Sequence, residues 1–182
     1  HLDSWDEGTG ALDDGGGVGL VMATAALLKQ QARPQRTIRV VLFGNEEGGL
    51  VGARAYAAKH AGNLNKHVFA SESDFGAGRI WRLDTGFGKE SLAFANSLQQ
   101  KLAGYGVEAG SNTASGGPDV SVLKAQGVPV VSLQQDGTDY FDYHHTPNDT
   151  MDKIDPAAMQ QNVEAWLITT GEVANSQVDL RR

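Results

Sequence analysis

Apolar residues set the rhythm of this chain. Between residues 16 and 31 they run densely (Val18, Leu20, Val21, Ala25, Leu27, Leu28), and Pro34, which discourages helix just before it, lies beyond, so the stretch predicts a buried helix. Residues 37–43, TIRVVLF, are β-branched and continuous rather than alternating, which predicts a central strand covered on both faces. A second helix is expected from about 50 to 60, and strands at 67–71 and 79–83. Residues 89–102 place Leu92, Phe94, Ala95, Leu98 and Leu102 at helical spacing. A helix near 118–125, a strand at 128–133, a long polar loop over 134–148 and a last helix over about 156–174 complete the pattern. Strands alternating with helices predict an α/β fold, a three-layer sandwich whose largely parallel mixed sheet is flanked by helices.

Length and composition narrow this picture. At 182 residues the chain suits one domain, taken here as 1–182, with a sizeable core. Forty per cent hydrophobic and 20% charged residues argue against disorder. The net charge of −7 is spread without a basic stripe, so no nucleic-acid partner is expected. With no cysteine, thiolate metal sites, cysteine nucleophiles and disulfides are excluded, and any metal must sit on oxygen and imidazole. The longest apolar stretch, 18–28, is broken by Gly19 and Thr24 and falls short of the roughly 20 residues of a membrane span, so none is expected. The chain begins at His1 without an initiator methionine, which reads as a processed or trimmed fragment.

Candidate chemistry falls in five short segments at or after predicted strands: His1-Leu2-Asp3, Asp13-Asp14, Glu46-Glu47, Glu72-Ser73-Asp74 and His144-His145. Ligand sites of open α/β sheets gather at the carboxyl ends of strands, so these loops can converge. Each segment also has a plain structural explanation. Glu46-Glu47 suits the positive end of the helix that follows, Asp13-Asp14 suits a helix cap before a glycine run, and loop histidines are commonly just exposed. His60 and His67, without acidic neighbours, read as structural or exposed. Gly15, Gly16 and Gly17 lack the Lys-Ser/Thr or GxGxxG context of a phosphate loop. Taken together, however, imidazoles and several carboxylates are the nitrogen and oxygen donors that paired zinc ions take.

The ordered motifs HLDSWD, GALDDGGGVG, NEEGGLVGA, ESD and HHTPNDT, with AQGVP between the last two, resemble the zinc aminopeptidase family that contains plasma glutamate carboxypeptidase and bacterial leucine-type aminopeptidases. The match spans essentially the whole chain. The resemblance implies the zinc exopeptidase fold and two Zn2+ ions, with His1 and Asp74 on one, Glu47 and His145 on the other, and Asp13 bridging. It implies short peptide substrates, a metal-bridging hydroxide and Glu46 as general base. It further implies a cis peptide between Asp13 and Asp14, Asp3 orienting the His1 imidazole, Asp149 acting similarly near His145, and an oxyanion donor from His144 or Tyr143. Family members have strands and helices before the first ligand, so the N-terminal part of the fold is expected to be missing here and to be a partner needed for full activity. Secretion or periplasmic residence is implied by the same resemblance, and a homo-oligomer is compatible with the sequence.

Two other functions compete. A glutaminyl cyclase-type acyltransferase shares the fold but uses one zinc, against which the His1, Asp13 and Asp74 set argues for a second ion. A non-catalytic peptidase-like binding module keeps the fold after losing ligands, whereas this sequence keeps every acid and imidazole named above.

Overall fold

The computed structural model describes residues 1–5, 7–31 and 33–182. Its sheet holds four strands among the described residues, β1 (Ala70–Ser71), β2 (Ile80–Gly86), β3 (Glu108–Ala109) and β4 (Val130–Gln135), in the order β1-β4-β2-β3. The two outer pairings, β1 with β4 and β2 with β3, are parallel, and the longer central ladder, β2 with β4, is antiparallel. The sheet is therefore mixed.

Helices cover both faces, as the alternation of strands and helices requires. On β4, Val131 and Leu133 join one core cluster with Leu20 of α1 (Gly16–Gln31), Leu98 and Leu102 of α3 (Leu92–Leu102), and Ala165, Trp166 and Val173 of α6 (Pro156–Asn175). Val130, one residue out of phase, turns to the other face and meets Ala114 and Val120. Val120 belongs to α4 (Pro118–Lys124), whose Leu123 packs with Ala57 of α2 (Val51–His60). The long helix α6 starts where Asp155 accepts the N–H of Ala157 at 2.9 Å and Pro156 takes the first turn, a cap plus a residue that lacks the N–H a helix start leaves unpaired.

A neutral polar network ties α6 to the segment between β1 and β2. Gln135 donates to Gly76 O at 2.9 Å and to Asn162 Oδ1 at 2.8 Å, while Asn162 donates to Gly78 O at 2.9 Å. Gln161 exchanges two bonds with the Ile80 backbone, at 2.9 and 2.7 Å. This segment carries Asp74, so the network fixes one wall of the site described below.

Several expectations need correction. Residues 37–43 pair with no strand among the described residues: only Phe43 in the run is buried, Val40 is 36% exposed, and Phe43 O accepts the N–H of Leu2 at 2.7 Å. An apolar run becomes a central strand only when neighbouring strands reach it, and none of the described ones does. The strand expected at 67–71 shrinks to its last two residues, and β3 escaped notice because both of its residues are exposed. The loop at 134–148 contains α5 (Tyr140–Tyr143), one turn too short to show a period. Finally, Ala11–Gln31 is long and apolar enough to cross a membrane by length and composition, yet half of it is buried inside the protein, with Leu20, Thr24 and Leu28 facing the interior.

Candidate metal and active site

The turn Ala11–Gly15 delivers Asp13 and Asp14 into the protein just ahead of α1, and the peptide between them is cis. Asp149 holds that turn from behind, its carboxylate accepting the N–H groups of Leu12 at 2.6 Å and Asp13 at 3.2 Å. Gly17 lets α1 approach closely, since a Cβ there would stand 2.1 Å from Ser73 O and 2.2 Å from Asp14 Oδ1. Asp13 Oδ1 lies 3.1 Å from His1 Nε2, and the same imidazole nitrogen lies 3.4 Å from Asp74 Oδ1. Nδ1 of that ring meets the backbone oxygen of Asp3 at 2.8 Å, and the α-amino group donates to Asp14 Oδ2 at 2.7 Å.

The other carboxylate oxygen of Asp13 faces a second group. Oδ2 is 3.2 Å from His145 Nε2 and 3.3 Å from His144 Nε2, and His145 Nε2 is 2.9 Å from Glu47 Oε2. Glu46 and Glu47 reach this place on a tight turn in which Gly49 and Leu50 donate to Glu46 O at 2.7 and 2.8 Å. Asp3 pins the turn by accepting the N–H groups of Glu46 at 3.1 Å and Glu47 at 3.2 Å. The imidazoles are fixed by stacking: Trp5 on His145 at 4.5 Å, His145 on His144 at 3.6 Å, and His144 tilted against Tyr140 at 4.9 Å between ring centroids.

Two sets of donor atoms thus share Asp13. His1, Asp13 and Asp74 form one, and Asp13, His144 and His145 the other, each with its candidate atoms within 4.8 Å of one another. Glu47, touching His145, extends the second. The charges in both sets are strained by their surroundings. Burial alone would push the His1 imidazole down, but Asp13 and Asp74 outweigh it and raise it to about 12. Burial, then the neighbouring Asp74, lifts Asp14 to about 9 and Glu46 to about 7. Burial and Asp13 raise Glu47, whereas Asp13 itself is lowered because the His1 contact overcomes its burial. Among the described residues, buried Asp13 Oδ2 and His145 Nε2 make no hydrogen bond of good geometry despite their short contacts, and Glu47 Oε1 makes none. Buried polar atoms without partners are costly, and a divalent cation among oxygen and imidazole donors removes that cost at several atoms at once. The residues fit such an ion.

The structure brings together His1, Asp13, Glu47, Asp74 and His145, with Glu46 on the wall of the same cavity of about 450 Å³. Other candidates lie differently from what the sequence suggested. The carboxylate of Asp3 holds the Glu46-Glu47 backbone and also stands 3.7 Å from His1 Nδ1, while that of Asp149 holds the backbone of Leu12 and Asp13. Tyr143 packs near Leu12 and under Lys153 and does not line the cavity. Asp6, inside the HLDSWD motif, lies outside the described residues. His67 accepts or donates to Tyr56 Oη at 2.8 Å, away from the site, in keeping with a structural role for that ring.

Sequence reasoning missed the apolar walls, Leu50, Phe75, Pro118, Tyr140 and Phe141, and the buried acid Asp119, and it named Glu72 within a candidate segment without giving it a task. Aromatic residues crowding the loop before His144 were the available signal for the walls. Glu72 caps α4 through the N–H groups of Asp119 at 3.2 Å and Val120 at 2.8 Å, a contact that no spacing in the chain announces.

Comparison with known proteins gives this geometry a setting. Residues 1–170 match the model of peptidase family M28. Carboxypeptidase Q of Rattus norvegicus is 36% identical over all of this chain, which corresponds to 39% of the rat protein. The crystal structure of a peptidase M28 precursor from Shewanella amazonensis SB2B superposes with a TM-score of 0.97 at 54% identity, covering all of this chain and 41% of that one. An aminopeptidase from Aneurinibacillus sp. strain AM-1 shares the fold, with a TM-score of 0.71 at 24% identity over 99% of this chain and 43% of its own. The chain spans about two fifths of the length of these relatives.

Proposed function

The chain belongs to peptidase family M28, and from that premise we propose that it is a two-zinc exopeptidase of short peptides with Glu46 as its general base. One observation carries the reading: two groups of metal-competent atoms meet at the two oxygens of a single buried carboxylate, Asp13. In this reading His1 and Asp74 hold one ion, Glu47 and His145 the other, and Asp13 belongs to both. His144, 3.3 Å from Asp13 Oδ2, is an additional donor of the second group.

When bound, zinc supplies Lewis acidity, which makes water a nucleophile near neutral pH and polarises a peptide carbonyl. The chain's own residues do the rest. Glu46 projects from a turn whose N–H groups Asp3 clamps, so its carboxylate is presented to the cavity on a fixed backbone. It takes the proton of the attacking water and returns it to the departing amine. Leu50, Phe75, Pro118 and Phe141 shield the cavity and offer apolar contact to a substrate side chain. Residence outside the cytoplasm follows from the same family resemblance and is tested by cell fractionation.

Elemental analysis of the purified protein, run beside a panel of dipeptides and aminoacyl amides with and without chelator, tests the proposal. Two zinc ions per chain and chelator-sensitive hydrolysis are expected. One ion together with cyclisation of N-terminal glutamine would instead identify an acyltransferase, and neither metal nor hydrolysis a binding module.

A further inference from the structure

The segment from His1 to Trp5 serves both donor sets, and its side chains do so in alternation. Leu2 and Ser4 are exposed, whereas His1 lies 3.4 Å from Asp74, Asp3 pins the Glu46-Glu47 turn, and Trp5 stacks on His145. A period of two is that of an extended segment, in which every second side chain points the same way. Its backbone is pinned by Leu2, which donates to Phe43 O at 2.7 Å, and by close passage over Gly10, where a Cβ would stand 2.5 Å from Ser4 Cβ. Trp5 adds little to the core: it is 47% exposed and joins none of the apolar clusters among the described residues. Its covered surface is spent on one imidazole.

The two donor sets hold their imidazoles differently. The His1 ring is oriented at its edge, where Nδ1 meets Asp3 O at 2.8 Å and leaves Nε2 to face Asp13 and Asp74, the usual arrangement for a ligating ring. The His145 ring is held by its faces. Trp5 stacks on it at 4.5 Å with 11° between the planes, and His144 at 3.6 Å with 21°. Two rings this close and this nearly parallel cannot share one face, so the imidazole is sandwiched between them. Its backbone, at φ +60°, is in the left-handed region that a residue with a side chain keeps only when its surroundings hold it there. We propose that Trp5 is a positioning residue for the second ion alone: its indole face keeps His145 turned so that Nε2 meets Glu47 at 2.9 Å and Asp13 at 3.2 Å, while the ion of His1 and Asp74 is independent of it. This rests on the two-zinc reading above. Trp5 does not line the cavity, so its task is to hold a ligand rather than a substrate.

Zinc-loaded wild type and Trp5→Ala, titrated with a competing chelator and assayed for zinc retained per chain, separate the ions without recourse to activity. In the variant one ion should be lost at about 10- to 100-fold weaker chelation, the other at the wild-type value. Trp5→Phe, which keeps a flat ring, should restore most of the difference. His145→Ala should weaken the same ion, and adding Trp5→Ala to it should cost nothing more, because the effect runs through that ring. Unchanged zinc retention in Trp5→Ala overturns the assignment. So do equal weakening of both ions and a double variant whose loss sums the two single ones, since either marks a general structural role. A wild type that retains fewer than two ions sinks the two-zinc reading itself, so the two failures are distinct. Should the alanine variant not fold, Trp5→Leu keeps apolar volume without a planar face, and wild-type retention of both ions by it overturns the proposal.

Discussion

Two buried polar clusters lie on either side of the segment that joins β1 to β2, and consecutive residues of that segment serve different ones. Ser73 donates to Gln135 Oε1 at 3.3 Å, in the neutral network with Gln161 and Asn162, whereas Asp74 stands 3.4 Å from His1 in the charged site. In the neutral cluster the amides of Gln135, Gln161 and Asn162 all have protein partners. The charged cluster crowds the carboxylates of Asp13, Glu47 and Asp74 around three imidazoles and leaves Asp13 Oδ2, Glu47 Oε1 and His145 Nε2 without hydrogen bonds among the described residues. The first cluster is complete as folded and therefore serves the fold. The second is incomplete, and groups that a protein keeps buried at such cost point to something it binds.

The hardest test of that contrast is Glu46→Gln. If the charged cluster is an active site, removing the base should lower kcat about 10²- to 10⁴-fold, with zinc content by elemental analysis and the melting temperature close to wild type. Wild-type turnover by this variant removes Glu46 from the chemistry. Next in size is the response to metal. Free zinc at about a thousand times its Kd should stabilise the folded chain by roughly 4 kcal/mol, read from melting curves with zinc and with chelator. Binding should also release protons, because the metal-free site holds them on His1, Asp14 and Glu46. Calorimetry in buffers of different ionisation enthalpy counts them, and a heat that does not depend on buffer contradicts the charge state described here.

The neutral cluster predicts the opposite profile. Asn162→Ala leaves Gly78 O and a Gln135 N–H unpartnered in the interior, which should cost about 1–3 kcal/mol for each group left unsatisfied. Denaturant melts should register this loss while zinc content and kcat of the folded fraction stay unchanged. A variant that keeps its stability but loses zinc would mean that the two clusters are one functional unit.

The same contrast separates what could be read in the chain from what could not. Helix α3 was legible from apolar residues at helical spacing, and α1 from a dense apolar run that ends ahead of Pro34. Residues 37–43 carry an equally clear strand pattern, yet pairing is a property of neighbours rather than of the run itself. In the site, Glu46-Glu47, Asp13-Asp14 and His144-His145 stood out as adjacent pairs of chemically loaded residues, but each had a bland explanation until the family resemblance ordered them. Asp3 lies beside the His1 ring and in addition holds the Glu46-Glu47 backbone, as Asp149 holds that of Leu12 and Asp13, tasks that cannot be read in sequence because a carboxylate that holds backbone N–H groups looks no different there from one that orients a ring. Tyr140 and the cavity walls lie in an aperiodic loop, where no spacing tells an inward aromatic from an outward one.

A pH dependence also distinguishes the clusters in the metal-free protein. Asp14, Glu46 and Glu72 are raised from 3.8, 4.5 and 4.5 to about 9, 7 and 8, first of all by burial. Between those unfolded and folded values the folded chain binds more protons than the unfolded one, so stability must fall as pH rises through the interval. His1, raised from 6.5 to about 12, acts in the same direction, its contribution being complete below 6.5 and lost on the way to 12. With chelator present, the melting temperature should therefore decline from pH 5 to pH 9, and zinc, by replacing the protons of the charged cluster, should flatten the decline. Glu72 caps α4 through two backbone N–H groups and belongs to neither proposed ligand set, so Glu72→Gln should remove only its own part of the slope, with or without zinc. A melting temperature that climbs across this range in chelator would mean that the buried acids are paired in solution, and the contrast between a finished and an unfinished cluster would no longer hold.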